Sequence, residues 1–155
     1  MTTTDTTIAR LLDEAAIRDV TTRFADLATH GDHAALRTLW AEDAEWVIGG
    51  TDSQPYERRA DGVDDIMSLF RELRDGRDFF IQFVAPASIE VDGDEATARW
   101  LCHEAARGPG ELYYRNNGVW TDHLRRTGDG WRFTNRSYHL LWLDFSPYTG
   151  DTFPI

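Results

Sequence analysis

The sequence predicts an α+β domain, with helices first and an antiparallel meander after them. Two observations carry this reading. Apolar residues recur at helical spacing up to about residue 73, and from Phe79 the period changes to two. Turn sequences then cut the period-two stretch into successive strands, the pattern of an α+β fold.

Ile8, Leu11, Leu12, Ala15, Ile17, Val20, Phe24 and Leu27 follow helical spacing to about Thr29. Asp13 is a candidate cap inside this run, which leaves one kinked helix or two. After Gly31, Asp32 is a good N-cap for a short helix carrying Leu36, Leu39 and Trp40. Trp46 and Ile48 alternate in a first strand, and 49–61 reads as a loop. Asp61 caps a third helix with Val63, Ile66, Met67, Phe70 and Leu73 on one face. Strands follow at 79–91, 95–106, 112–126 and 131–145, parted by Asp92-Gly93, Gly108-Pro109-Gly110 and Thr127-Gly128-Asp129-Gly130. Residues 1–7 read as a flexible tail, 8–145 as a single domain and 146–155 as a C-terminal tail.

Composition excludes several functions. The 27 acidic and 16 basic residues give a net charge of −11, which opposes nucleic acid and anionic membrane surfaces alike. Every basic residue is Arg, so Schiff-base chemistry and a lysine base are excluded. Cys102 is the only cysteine, which suits a reducing compartment and a cytoplasmic location. The opening residues lack the pattern of a signal peptide, and no apolar run approaches the ~20 residues of a membrane span. His30-Gly-Asp-His33 crosses a helix break, so no metal site is expected. A glycine-rich phosphate loop is also missing, so no cofactor is expected. Six Trp, eight Phe and five Tyr offer more aromatic surface than packing requires, which favours a small hydrophobic ligand.

Three local signatures occur in order: Trp40-Ala-Glu-Asp-Ala-Glu-Trp46, Ile89-Glu-Val-Asp-Gly-Asp-Glu-Ala96, and Gly118-Val-Trp-Thr-Asp122 leading to Gly130-Trp-Arg-Phe133. With the element order, they make the chain resemble the SnoaL-like branch of the nuclear-transport-factor-2-like superfamily. The resemblance implies a helix-lined cone: a curved antiparallel sheet wrapped over N-terminal helices, with an internal apolar pocket. It also implies a homo-oligomer, a dimer above all. Relatives include polyketide cyclases, scytalone dehydratase, ketosteroid isomerase and a dehydrochlorinase, as well as members that only bind. The dehydratase and dehydrochlorinase relatives use a carboxylate–histidine dyad, and its two positions fall here on Thr29 and Gln82, neither a general base.

Strand alternation sorts the side chains. Ala96, Ala98, Trp100 and Cys102 share the inner face, and His103 points outward. Trp120 and Leu124 bring in Tyr114, Asn116, Gly118 and Asp122. Trp131 and Phe133 set the phase that turns Asn135, Ser137 and His139 inward. In that phase Gln82 joins Phe80 and Val84, and Trp46 joins Ile48. The catalytic candidates are therefore His139, as the acid–base group, and Asp122, for which pairing with Arg136 or Arg132 is the competing structural reading. Thr29, Trp46, Gln82, Tyr114, Asn116, Trp120 and Asn135 are the candidate substrate-binding residues, Gln82 also as an amide donor to an enolate oxygen. Three functions stay open: a cofactor-free isomerase, cyclase or dehydratase acting on a polyketide-, terpenoid- or steroid-like substrate, a binding protein without chemistry, or an interaction module paired through the outer sheet face.

Overall fold

Helix α1 is one continuous element, Thr3–His30, in a computed structural model that describes residues 3–52, 54 and 57–153. It begins earlier than the tail boundary expected at residue 7, and Asp13 interrupts nothing. Asp13 instead accepts hydrogen bonds from Arg126 Nη1 (2.6 Å) and Trp131 Nε1 (3.3 Å), which pins the helix to the sheet. The buried positions Ile17, Val20, Thr21, Phe24, Ala25 and Ala28 trace one helical face. Ile8, Leu11 and Leu12 have the same periodicity but are exposed, because the helix runs past the end of the core.

Asp32 caps α2 (His33–Arg37) as expected, its Oδ1 accepting from Ala35 N at 3.0 Å. α3 (Val63–Arg74) starts one residue later than expected, on Gly62 at φ 84°, with no side-chain cap. Its buried face is Val63, Ile66, Met67, Leu69 and Phe70.

The strands are β1 (Trp40–Gly49), β2 (Glu57–Asp61), β3 (Phe79–Asp92), β4 (Glu95–Gly108), β5 (Leu112–Thr127) and β6 (Gly130–Asp144). They form one sheet in the order β2-β1-β6-β5-β4-β3. β2 lies in the stretch expected to be a loop; its residues Glu-Arg-Arg-Ala-Asp bury only Ala60, so no apolar alternation marks it. The expected all-antiparallel sheet also needs one correction, because β1 pairs with β6 in parallel. Both strands start at the same end of the sheet: Trp40 pairs with Phe133, and Phe133 N donates to Leu39 O at 2.9 Å. α2 delivers the chain to that end, so β1 has no choice of direction.

β5 and β6 make the long hairpin expected, with Arg126 opposite Trp131. Its register then shifts twice. Leu124 pairs with Phe133 but His123 pairs with Asn135, which leaves Thr134 as the extra residue of a bulge. Leu141 is the extra residue of a second bulge, between the Gly118–Leu140 and Asn117–Trp142 pairs. The first bulge reverses the inward face of β6. Trp131 and Phe133 are buried, and beyond Thr134 the buried residues are Arg136, Tyr138 and Leu140.

Phe24 organises the core. Its ring meets Trp40 and Phe133 edge-on at 6.0 Å, Trp120 at 6.2 Å and Trp46 at 6.3 Å. Full burial of such a ring is worth about 3 kcal/mol, and each well-oriented aromatic pair adds roughly 0.5–1.5 kcal/mol. One helix face and three strands, β1, β5 and β6, are thereby fixed around a single side chain.

Candidate functional site

Leu124, Trp131 and Phe133 are buried where β5 ends and β6 begins, and packing is incomplete at the opposite end. There the last turn of α3, the starts of β3 and β5 and the ends of β4 and β6 enclose a cavity of about 280 Å³. Phe24, Trp46, Phe70, Phe80 and Trp120 give it an aromatic wall. Trp46 and Trp120 lie 6.4 Å apart, centre to centre, with planes tilted 33°.

One carboxyl lines the cavity among the described residues, that of Glu104. A single cross-strand row places it: Gln82 of β3 pairs with Glu104 of β4, which pairs with Asn116 of β5. Gln82 Nε2 donates to Glu104 Oε2 at 2.7 Å, and the Tyr114 hydroxyl donates to Oε1 at 2.7 Å. Tyr138 donates in turn to Asn116 Oδ1. Burial raises the Glu104 pKa above the ordinary carboxylate range. Hydrogen bonds from Tyr114, Gln82 and Asn116 and the charge of Arg77 oppose this, and burial prevails. Its neighbour Cys102 is also buried, its pKa pushed up to about 12 mainly by desolvation, so it remains a thiol.

The sequence-derived candidates divide. Trp46, Gln82, Tyr114, Asn116 and Trp120 line the cavity. Thr29 stands behind the wall: its hydroxyl donates to Ala25 O (2.8 Å) and accepts from Gln82 N (3.2 Å), tying α1 to β3. Gln82 spends its amide donor on Glu104 rather than offering it to a ligand oxygen. Asn135 sits away from the cavity and donates to Glu45 Oε2 at 2.6 Å. His139 is a correction: the Thr134 bulge turns it to the exposed outer face, and it lines no part of the cavity.

Asp122 lies inside, but in the packed end. Arg136 Nε approaches its Oδ1 at 3.3 Å, and both side chains are wholly buried. The guanidinium carbon of Arg136 lies 4.1 Å from the centre of Phe24, 4.3 Å from Trp120 and 4.5 Å from Phe133. Desolvation raises the Asp122 pKa to about 6 against the pull of Arg136. The same burial lowers that of Arg136, which stays charged because arginine does not deprotonate in proteins.

Glu104 is the residue that sequence reasoning missed. The signal was present, since alternation from Trp100 and Cys102 continues inward to position 104, beyond the apolar residues that defined the face. Asp26 and His30 do pair (3.3 Å), but at an exposed helix end outside the cavity. Among the described residues no three His, Cys, Asp or Glu side chains converge as a metal set would.

A model of the SnoaL-like domain matches residues 9–137. Among solved structures, an NTF2-like protein with a cystatin-like fold from Novosphingobium aromaticivorans shares 30% identity at a TM-score of 0.72, covering 88% of this chain and 87% of that one. A proposed scytalone dehydratase from the same organism shares 17% identity at a TM-score of 0.79, covering 94% and 93%. A hexachlorocyclohexane dehydrochlorinase, LinA-type3 from Novosphingobium barchaimii, shares 19% identity at a TM-score of 0.77, covering 96% and 98%. No curated protein matches the chain.

Proposed function

The chain belongs to the SnoaL-like domain family, and from that premise we propose that its cavity binds a small hydrophobic molecule and moves a proton on it without a cofactor. Glu104 is the acid–base group. The observation that carries this reading is a carboxyl with a raised pKa, held by neutral donors at the wall of an aromatic cavity. A carboxyl whose pKa is raised above the ordinary carboxylate range can work in both directions. Ionised, it removes a proton from carbon beside a carbonyl. Protonated, it returns that proton to a second carbon, completing an isomerisation, or to a departing hydroxyl, releasing water. Gln82 and Tyr114 orient its two oxygens. Two neighbours in fold are named a dehydratase and a dehydrochlorinase, and proton transfer of this kind serves eliminations.

A nitrobenzisoxazole tests the reading. This planar aromatic opens to an absorbing phenolate when a base removes one carbon-bound proton. The wild type is expected to accelerate the opening, and Glu104→Gln, which keeps the volume, to lower the rate by about 10²–10⁴-fold. An unchanged rate in the variant, or no acceleration by the wild type, would leave ligand binding without chemistry. That second reading is favoured by the cavity lining, which holds no histidine among the described residues.

A further inference from the structure

The chain as a whole repels anions, with 27 acidic residues against 16 basic ones. Its cavity has the opposite balance: Arg58, Arg74 and Arg77 line it alongside the single carboxyl of Glu104. Arg58 is neutralised by Glu72. Arg74 and Arg77 have no carboxylate partner among the described residues.

Arg74 ends α3. Its Nε and Nη2 donate to the Ala28 and Thr29 carbonyls at 2.8 Å, and its guanidinium carbon lies 5.0 Å from the centre of the Phe80 ring. Arg77 follows the left-handed Gly76 (φ 75°) in the turn to β3. Its Nε donates to Leu73 O at 2.6 Å, and its guanidinium carbon lies 4.9 Å from the centre of the Tyr114 ring. Nη1 of Arg77 is buried with no hydrogen-bond partner, and Nη1 of Arg74 takes no protein acceptor among the described residues. Backbone carbonyls and ring faces thus hold two guanidinium groups at one end of the cavity, neither in an ion pair with a carboxylate among the described residues. Desolvation lowers the Arg74 pKa, the charges of Asp75 and Tyr114 oppose this, and that of Arg77 adds to it.

We propose that the cavity's ligand carries a carboxylate on a planar aromatic frame, with the carboxylate on Arg74 and Arg77 and the frame along Phe80, Trp46 and Trp120. This rests on the reading of the cavity as a small-molecule site. Nη1 of Arg74 and Nη2 of Arg77 take no protein acceptor among the described residues and match the two oxygens of a carboxylate, and the ring-stacked guanidiniums are already oriented. The Tyr114 ring lies between Arg77 and Glu104, so the anchored end of the ligand borders the group that moves the proton.

The test is calorimetric titration with 2-naphthoate and with 2-naphthamide, a neutral molecule of nearly the same outline. The wild type is expected to bind the acid about tenfold more tightly than the amide, the size of one charge-assisted hydrogen bond in a partly dry site. Arg77→Gln should abolish that preference while keeping affinity for the amide. Arg99→Gln, which removes an exposed charge away from the cavity, should leave it intact. If Arg77→Gln does not fold, inhibition of the benzisoxazole reaction in the wild type carries the test, with naphthoate about tenfold more potent than naphthamide. Equal binding of the two, binding of neither, or a preference that survives in Arg77→Gln overturns the proposal. The benzisoxazole is uncharged and its opening depends on Glu104, so charge selection can fail while proton transfer stands, and the reverse.

Discussion

Asp122 and Glu104 both point into the sheet's concave face, each beside aromatic rings and within the field of an arginine. At the packed end, Asp122 faces the cation of Arg136 inside a cage of Phe24, Trp120 and Phe133. At the open end, Glu104 faces an amide and a phenol beside free volume. Both lose hydration, and burial raises both pKa values. What separates them is the partner. A carboxyl tied to a buried guanidinium is committed to holding the fold, whereas one held by neutral donors can change its protonation without stranding a charge.

The sharpest way to break the comparison is Asp122→Ala. Removing one partner of a buried pair leaves Arg136 charged without a counter-ion, and a loss of about 3–5 kcal/mol is expected. A chain of this size should then melt roughly 10 °C lower. A melting point within a degree or two of wild type would mean that the aromatic cage alone supports the cation.

A smaller effect is expected at Gly118, beneath the Tyr138 ring. A Cβ there would overlap ring carbon Cζ and lie 2.5 Å from the His139 carbonyl. Gly118→Ala must displace the phenol that donates to Asn116, at a cost of about 1–3 kcal/mol in urea unfolding. If the open end is the tolerant one, the fold survives, and the benzisoxazole rate drops with the disturbed support of Glu104. A variant as stable and as active as wild type would show that Tyr138 has room to move.

The smallest effect is a pH slope. Glu104 titrates higher in the fold than in the unfolded chain, so the folded state keeps the proton longer. Its contribution is complete below the unfolded value of about 4.3 and is lost as pH rises through the raised folded value. Wild type should therefore lose stability relative to Glu104→Gln as pH rises from about 4 toward neutrality. Urea melts across that range read the difference directly, and Asp122, present in both proteins, cancels. A difference that stays flat, or grows with pH, would mean that Glu104 is ionised as easily in the fold as in water.

Much of the fold was legible in the chain. Helical and alternating periods located α1, α3 and the four strands of the meander, because burial on one face imposes those periods on any sequence. Trp46, Gln82, Tyr114, Asn116 and Trp120 were placed at the cavity for the same reason: β5 carries no extra residue in its pairing with β6, Gln82 precedes the shift at Pro86 on β3, and Trp46 keeps phase with its neighbour Ile48 beyond the shift on β1. The side of β6 on which His139 lies could not be read this way. One extra residue at Thr134 reverses every side chain after it, and a bulge is set by the curvature of the whole sheet rather than by a local motif. β2 and the parallel β1–β6 pairing were hidden likewise, because both follow from where α2 returns the chain. The sequence by itself determined the element types, the inward residues of β3, β4 and β5, and a chain without lysine that carries a large negative charge. Tertiary structure alone decided which inward carboxyl meets an arginine and which meets empty space, because that depends on where packing stops, and packing is a property of elements brought together.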